Sequence, residues 1–403
     1  DDIADLARAL NLEAYNLFGV SYGTRLALTV LRDHPERVRS VIIDAVYPPH
    51  VNSLNDQSVL AYNTFETLFA DCAADAECAA AFPNLRQRFY DLVARLNANP
   101  DIVTDPETGE ELEINGDALV SNLFDMLYDT SILAYLPATI DAWTRGDYFV
   151  DYYAEGSAAD GGGDDFEQAL MEYLGFDNVD DLYDYIDGLS DEEYDALWEE
   201  VFGESAYFSE EEEQALMDYL GFTDYDAFVD YLDNLSDEEY NLLIEEVFGG
   251  GEGIDGDSEG MFNSVECSEE VPFNSMEAVQ QSLAGIPEAI AQGLVFTVEG
   301  TFDDCAKWNV PPAAESENQP VVSDVPTLVL SGRYDPITPP SWGQAAADYL
   351  SRSYHFVFPN TGHGAVDSIP CATQIALDFL NNPQQPPDSS CISTLTPPDF
   401  YIP

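Results

Sequence analysis

The sequence predicts an α/β fold in which a large helical cap interrupts a mostly parallel sheet. Three observations lead to this prediction. Strand, helix and strand alternate with short links at the start of the chain, helical patterns fill its middle, and the strand-helix rhythm returns from Val325. Apolar strands alternating with amphipathic helices are typical of parallel sheets. We therefore expect sheet segments at residues 1–51 and 303–403 and a cap at residues 52–302.

The first strand and helix meet at the motif Gly19-Val20-Ser21-Tyr22-Gly23. Glycines on both sides of a serine allow a turn from strand to helix so tight that the hydroxyl points out of the sheet. The residues before the motif are largely apolar, and apolar residues recur with helical spacing after it. The pattern predicts Ser21 as a nucleophile and the backbone N–H of Tyr22 as a donor to an oxyanion.

A serine hydroxyl needs a base to take its proton, and the base needs an orienting carboxylate. Of the four histidines, His363 lies between two glycines after the last expected strand, and Asp335 likewise follows a strand. The order Ser21, Asp335, His363 is the order found in α/β-hydrolases. Asp44, near the end of the second strand, is the alternative acid, and the loop setting favours Asp335.

The cap contains an acidic tandem repeat at about residues 164–250. The segment QALMEYLGF at 168–176 returns as QALMDYLGF 46 residues later, and LSDEEY at 189–194 returns with the same offset. Apolar positions at helical spacing predict that each copy packs as a small helical module with its acidic faces in solvent. Binding of a partner by these faces is the alternative.

The charge is extreme, with 78 acidic residues against 12 basic ones and a net charge of −66. Such a chain repels polyanions, so we expect no nucleic-acid partner. A well-solvated surface explains the acidity, and adaptation to high salt, which screens self-repulsion, is the sharper hypothesis. No run of 18 apolar residues occurs, so we expect no membrane span.

One stretch has the spacing of a calcium loop, with a glycine at its sixth position. Its candidate ligands are Asp255, Asp257, Glu259 and Glu266. Glycine-rich sequence stands where the first flanking helix belongs, and acid-rich chains produce such spacings by chance. We therefore expect no metal and no cofactor, with calcium as the weaker alternative.

The six cysteines include no Cys-x-x-Cys pair, which favours disulfides over a zinc site. Disulfides indicate an oxidising compartment, so we expect an extracellular protein or one of the periplasm or cell envelope. Proximity along the chain suggests three pairs, although other connectivities remain open. These pairs are Cys72–Cys78, Cys267–Cys305 and Cys371–Cys391.

Several of these segments together resemble the α/β-hydrolases of the tripeptidyl aminopeptidase and prolyl aminopeptidase type, which are secreted largely by bacteria. The resemblance covers the chain except for the acidic repeat. The segments are GVSYGTR at 19–25, VYPP at 46–49, Cys72 to Cys78 with AFP at 81–83, VECSEE at 265–270, CAKW at 305–308, GRYDPITP at 332–339, GHG at 362–364, and Cys371 with Cys391.

The resemblance implies that Ser21, Asp335 and His363 form the catalytic triad, and it supports the three cysteine pairs. It also implies transfer of an acyl group to the serine from a peptide near its free N-terminus, followed by hydrolysis. Related enzymes bind the substrate's ammonium with carboxylates of the cap, and Glu269 and Glu270 are at the matching positions. The alternative for these two residues is a solvated pair.

Such a fold places further strands, and a glycine-rich loop with a second oxyanion donor, before the elbow. Only 20 residues precede Ser21 here. We expect the missing parts to be on another chain, to have been cleaved away, or to precede this stretch, and we expect this stretch by itself to be inactive and poorly folded.

The leading interpretation is a secreted serine aminopeptidase that removes short peptides or single residues from peptide N-termini. A carboxylesterase with the same triad is the first alternative, because the same groups hydrolyse esters. The second is an acidic binding protein on a non-catalytic hydrolase scaffold.

Overall fold

The computed structural model describes residues 2–104, 109, 111–150, 152, 228 and 259–403. The tandem repeat, apart from Phe228, and the calcium-loop candidates Asp255 and Asp257 lie outside these residues, as does the side chain of Glu259. The chain divides into two compact units, Asp1–Tyr152 with Asn263–Pro403, and Tyr153–Phe262. The first unit contains the sheet and every predicted catalytic residue.

The first part of the chain forms two strands joined by a helix. Its elements are α1 (Asp2–Ala9), β1 (Tyr15–Val20), α2 (Tyr22–Asp33) and β2 (Val38–Asp44). Asn11, with φ 53°, takes the left-handed conformation that asparagine tolerates, and the chain turns there from α1 toward β1. β2 is buried at all but one position, as its apolar sequence predicts.

Helices then dominate the region expected to form the cap. The elements are α3 (Ser53–Ala74), α4 (Ala76–Ala81), α5 (Leu85–Ala98), β3 (Asp101–Thr104), β4 (Glu111–Ile114), α6 (Gly116–Met126), α7 (Leu136–Thr144), α8 (Glu259–Val265), α9 (Met276–Ser282) and α10 (Glu288–Cys305). A single turn of π-helix, Glu266–Glu270, follows α8. The sequence predicted a helical cap, so the antiparallel ribbon of β3 and β4 is a difference from that prediction. Its strands are only four residues long and have no fully buried position, and so short a pattern is too weak to predict a strand.

The last part of the chain returns to strands and helices. Its elements are β5 (Thr327–Gly332), α11 (Pro340–Ala347), β6 (Ser353–Phe358) and α12 (Pro370–Asn381). The sheet of the described residues has the order β1-β2-β5-β6, and every neighbouring pair is parallel. The helical region is therefore inserted between two adjacent strands. The loops after β1, β2, β5 and β6 meet at the carboxyl edge of the sheet, where open α/β folds bind their ligands.

Each face of the sheet has its own apolar core. Successive side chains of β2 point to opposite faces, as the pleat of a strand requires. One face packs on α2 and α11 through Leu28, Leu31, Val41, Ile43, Val329 and Ala346. The other packs on α12 through Ile42, Leu330, Ile375 and Phe379. The helical region has a third core that includes Tyr334, a residue of the loop after β5. That loop is thus fixed by the helices as well as by the sheet.

The structure joins the three cysteine pairs suggested by proximity. They are Cys72–Cys78, Cys267–Cys305 and Cys371–Cys391. The first ties α3 to α4, and the second ties the π-helical turn to the end of α10. Disulfides are compatible with an oxidising compartment. In the part of the chain that the structure describes, no helix is long and apolar enough to cross a membrane.

Candidate active site

The nucleophile elbow holds Ser21 in a strained backbone conformation. Its φ of 54° and ψ of −125° are values that residues with a side chain rarely adopt. Hydrogen bonds hold the turn on both sides. The Ser21 N–H donates to the backbone oxygen of Asp44 at 3.0 Å, and the Ser21 oxygen accepts from Thr24 Oγ1 at 2.6 Å. The serine hydroxyl is therefore presented at the carboxyl edge of the sheet by a turn that its neighbours enforce.

The two glycines of the elbow differ in the space that surrounds them. A Cβ added to Gly19 would lie 2.4 Å from the backbone oxygen of Gly23, a distance that real Cβ atoms do not reach. In the described surroundings, a Cβ on Gly23 would meet no atom within 4 Å. The close approach of strand and helix therefore depends on the first glycine.

Tyr22 is the first residue of α2 and directly follows the serine. Backbone N–H groups in the first turn of a helix have no acceptor within the helix, and they lie at the positive end of the helix dipole. The Tyr22 N–H is thus of the kind that stabilises a developing oxyanion.

Asp335 and His363 are brought together from successive strand ends. Asp335 is fully buried, and its Oδ2 lies 3.0 Å from His363 Nδ1. The other oxygen, Oδ1, accepts from the N–H groups of Ile337 at 3.0 Å and Thr338 at 2.8 Å, and Thr338 Oγ1 donates to Oδ2 at 2.6 Å. An ionised carboxylate only accepts hydrogen bonds, so Nδ1 carries the ring proton and Nε2 keeps the lone pair of a base.

The loop that carries His363 is held from the helical region. The His363 N–H donates to the backbone oxygen of Tyr128 at 2.9 Å, and the Gly362 N–H donates to Thr130 Oγ1 at 3.1 Å. The ring centroids of Tyr128 and His363 are 4.9 Å apart. A Cβ on Gly362 would lie 2.4 Å from the backbone oxygen of Leu127, so this close contact requires glycine. Nothing in the sequence connects residues 127–130 with the histidine.

Asp44, the alternative acid, makes different contacts. Its carboxylate is fully buried, and Oδ2 accepts from the N–H groups of Ala365 at 2.7 Å and Val366 at 2.8 Å. Burial raises the pKa of Asp44 to about 6; the charge of Asp335 adds to this rise, while the two backbone donors and His363 oppose it. Asp335, and not Asp44, is therefore the carboxylate that contacts the imidazole.

The two adjacent glutamates predicted to bind an ammonium lie beside a buried arginine of α2. Arg25 is 2 % exposed, and its Nη1 lies 2.6 Å from Glu270 Oε1, while its Nε lies 3.4 Å from Glu269 Oε2. The second oxygen of Glu270 accepts from Ser53 Oγ at 2.9 Å, and Ser53 in turn accepts from the Tyr47 hydroxyl at 2.7 Å. Both oxygens of the Glu270 carboxylate thus contact groups of the protein itself. Glu269 is more exposed, with a third of its side chain accessible.

A third carboxylate of the π-helical turn, Glu266, belongs to the same cluster. Burial raises its pKa to about 7, as do the charges of Glu270 and Glu269, while Arg25 lowers it. Burial, together with the charges of these glutamates, also raises the pKa of Tyr22 to about 12. The cluster therefore faces the residue that follows Ser21. Three carboxylates share one guanidinium, so the cluster has an excess of negative charge.

Among the described residues, no group of three or more acidic, histidine or cysteine side chains is arranged to hold a metal ion. Glu266 is the one calcium-loop candidate whose side chain is described, and it faces Arg25 and the two glutamates. The calcium alternative thus stays a sequence prediction that rests on residues outside the described ranges.

Comparison with known proteins gives two family matches. Residues 1–118, which include Ser21, match a model described as alpha/beta hydrolase fold. Residues 296–391, which include Asp335 and His363, match a model described as TAP-like protein. No curated protein matches the chain.

Among solved structures, the chain is similar to a serine hydrolase from the polyaromatic hydrocarbon-degrading bacterium Cycloclasticus zankles. The identity is 12 %, the TM-score is 0.27, and the match covers 94 % of this chain and 69 % of that one. A superposition of that quality says nothing about substrate or residue roles. The two family matches, which support a hydrolase, agree with the parallel sheet and the elbow, and the chain therefore has the α/β-hydrolase fold.

Proposed function

We propose that the chain carries the catalytic centre of a serine peptidase that acts at the free N-terminus of peptides. Ser21 is the nucleophile, His363 the general base and Asp335 the orienting acid. The observation that carries the proposal is the buried contact of 3.0 Å between Asp335 Oδ2 and His363 Nδ1, in a fold whose elbow holds the serine with a positive φ.

The proposed reaction proceeds through an acyl-enzyme. His363 Nε2 takes the proton of Ser21 Oγ as the oxygen attacks the scissile carbonyl carbon. The Tyr22 N–H donates to the oxyanion that forms, and the imidazolium then gives its proton to the leaving amine. A water molecule, deprotonated by the same nitrogen, attacks the ester and releases the acyl product and the serine. Asp335 stays ionised throughout and stabilises the imidazolium.

The preference for a free N-terminus is supported by the acidic cluster beside Tyr22. Arg25 pairs with Glu270 at 2.6 Å and more distantly with Glu269 at 3.4 Å, so in the part of the chain that the structure describes three carboxylates share a single guanidinium. A substrate ammonium there would favour the ionised form of Glu266, whose pKa of about 7 reflects this crowding. We place the ammonium nearest Glu269, the more exposed of the pair named from the sequence, with Glu270 holding Arg25 in place.

The three disulfides support a secreted or cell-envelope location. A peptide is the proposed partner, and no step of the reaction calls on a cofactor.

A fluorophosphonate probe and a pair of substrates test this function in the full-length protein. We expect the probe to label wild type and not Ser21→Ala. We also expect kcat/KM for an alanyl-prolyl anilide to fall about a hundredfold when its amino group is acetylated, because the carboxylates beside Tyr22 then lose their ion partner. Labelling combined with equal kcat/KM for the free and the acetylated peptide would favour the carboxylesterase. Absence of labelling would favour the acidic binding protein.

The ammonium position has its own test. Glu269→Gln should raise KM for the free peptide about tenfold and leave hydrolysis of the acetylated peptide unchanged. Glu277→Gln makes the same change of charge on the exposed side of α9 and serves as the matched control. Equal effects of the two variants would contradict a local ammonium site.

A further inference from the structure

Asp44 contacts both of the loops that carry the reacting groups. Its backbone oxygen accepts from the Ser21 N–H at 3.0 Å. Its side chain accepts from the N–H groups of Ala365 and Val366, two and three residues after His363. No other role is left for this carboxylate in the proposed reaction, because the imidazole is oriented by Asp335.

We propose that Asp44 is a positioning residue that holds the histidine loop in register with the nucleophile elbow. The proposal rests on the proposed function, since it concerns the geometry between Ser21 and His363.

The contacts have the strength and rigidity that positioning requires. A carboxylate that accepts from backbone N–H groups forms charge-assisted hydrogen bonds, which are stronger than neutral ones. The loop also lies beside the elbow, since a Cβ on Gly364, with φ 83°, would be in van der Waals contact with Val20 Cγ1 at 3.7 Å. Asp44 therefore joins the backbone of Ser21 to the residues just after the histidine.

The burial of the Asp44 side chain also costs stability, which indicates a role other than stabilising the fold. The side chain is fully buried, and its Oδ1 has no hydrogen-bond partner among the described residues. Burying an ionised group with an unsatisfied oxygen costs stability. Such a cost is retained where a polar group serves function, which is the balance expected for a residue that positions a catalytic loop.

The charge of Asp44 also reaches the reacting groups of the site. The groups that face it are Asp335, after β5, and His363, after β6. An ionised Asp44 attracts the positive charge that His363 gains when it takes the serine proton. Removing the carboxylate charge should therefore weaken that stabilisation.

Two substitutions of Asp44 separate the effect of its hydrogen-bond acceptor from the effect of its charge. Asp44→Asn keeps an oxygen for the two N–H groups, and Asp44→Ala removes it. With the alanyl-prolyl anilide and full-length protein, we expect Asp44→Ala to lower kcat about 10- to 100-fold with KM changed less than about threefold. We expect Asp44→Asn to recover kcat to within about fivefold of wild type.

Ser331→Ala is the matched control. Ser331 is a fully buried polar residue on β5, and its hydroxyl lies 3.1 Å from His355 Nε2, not from the histidine of the site. This variant should lose stability without changing kcat.

The outcomes are distinguishable. A folded Asp44→Ala with wild-type kcat, or Asp44→Asn as impaired as Asp44→Ala, overturns the positioning role while the proposed function stands. Wild-type protein that takes up no fluorophosphonate overturns the function itself. If Asp44→Ala does not fold, amide hydrogen exchange of the wild-type protein tests the positioning role instead. The amides of Ala365 and Val366 should then be strongly protected, and rapid exchange at both would overturn the proposal.

Discussion

Asp44 and Asp335 are two buried aspartates that lie at or just after the ends of neighbouring strands, yet their contacts differ. Both are fully buried, and both face the loop after β6. Asp335 contacts a side chain of that loop, the imidazole of His363, and both of its oxygens have donors. Within the described ranges, the carboxylate of Asp44 accepts only from backbone N–H groups, and its Oδ1 has no donor. What the facing loop presents, rather than the place on the sheet, decides what each aspartate contacts.

The largest effect expected from this comparison is that of Asp335→Asn. The amide no longer holds the Nδ1–H tautomer, so kcat should fall about 10³- to 10⁴-fold with a small change in KM. Asp44→Asn makes the same chemical change on the adjacent strand and should cost far less. Steady-state kinetics on both variants measures the contrast, and equal losses would abolish the distinction between the two aspartates.

The elbow, which the backbone of Asp44 anchors, gives the next effect. Gly19→Ala forces a Cβ into the backbone of Gly23, so activity should fall more than about tenfold and stability by about 1–3 kcal/mol. Gly23→Ala meets open space and should be nearly neutral in both. Thermal melts and fluorophosphonate labelling rates check the pair; similar behaviour of the two alanines would contradict the different roles of the glycines.

The hold on the histidine loop from the helical region should be weaker than that of either aspartate. Tyr128→Ala removes the ring that lies against His363 but keeps the backbone oxygen that accepts from its N–H. We expect kcat to fall about three- to tenfold, and Tyr128→Phe, which keeps the ring, to stay near wild type. A loss of kcat in Tyr128→Phe as large as that in Tyr128→Ala would indicate that the hydroxyl, and not the ring, supports His363.

The last expected effect is on stability rather than on activity. The folded pKa of Asp44, about 6, is above its ordinary value of 3.8, so the folded state binds the extra proton and loses stability as pH rises from about 4 to 6. Asp44→Asn lacks this loss. The difference in unfolding free energy between Asp44→Asn and wild type should therefore shift by about 2–3 kcal/mol in favour of the variant between pH 4 and pH 7, measured by urea titration. A constant difference across that range would show that the buried carboxyl does not titrate as described.

Much of this arrangement could be predicted from the sequence, because local patterns encode it. The apolar strands, the glycine before Ser21 and the order of the acid and the histidine are all visible in short segments. The choice between Asp44 and Asp335 rested on loop setting, which favoured the residue that the structure brings to the imidazole. The catalytic roles themselves stay predictions until the variants are measured.

Local sequence patterns could not predict the contacts that hold the site together. Tyr128 and His363 are far apart in sequence, and the bond between them uses a backbone oxygen that any residue would supply. Of these contacts, only the one made by Arg25 had a signal in the sequence. A charged residue among the apolar positions of a helix predicts a buried partner, although the sequence does not say that the partner is Glu270.

The insertion of the helical region between β2 and β5 also has a consequence for folding. The register that pairs Val41 with Thr327 joins residues 286 positions apart. Such a pairing raises the contact order of the sheet, and loop closure over that length must precede any reward from the strand contacts. On the ribosome Ser21 is made well before His363, so the elbow and the histidine loop can come together only after the inserted helical region has been synthesised.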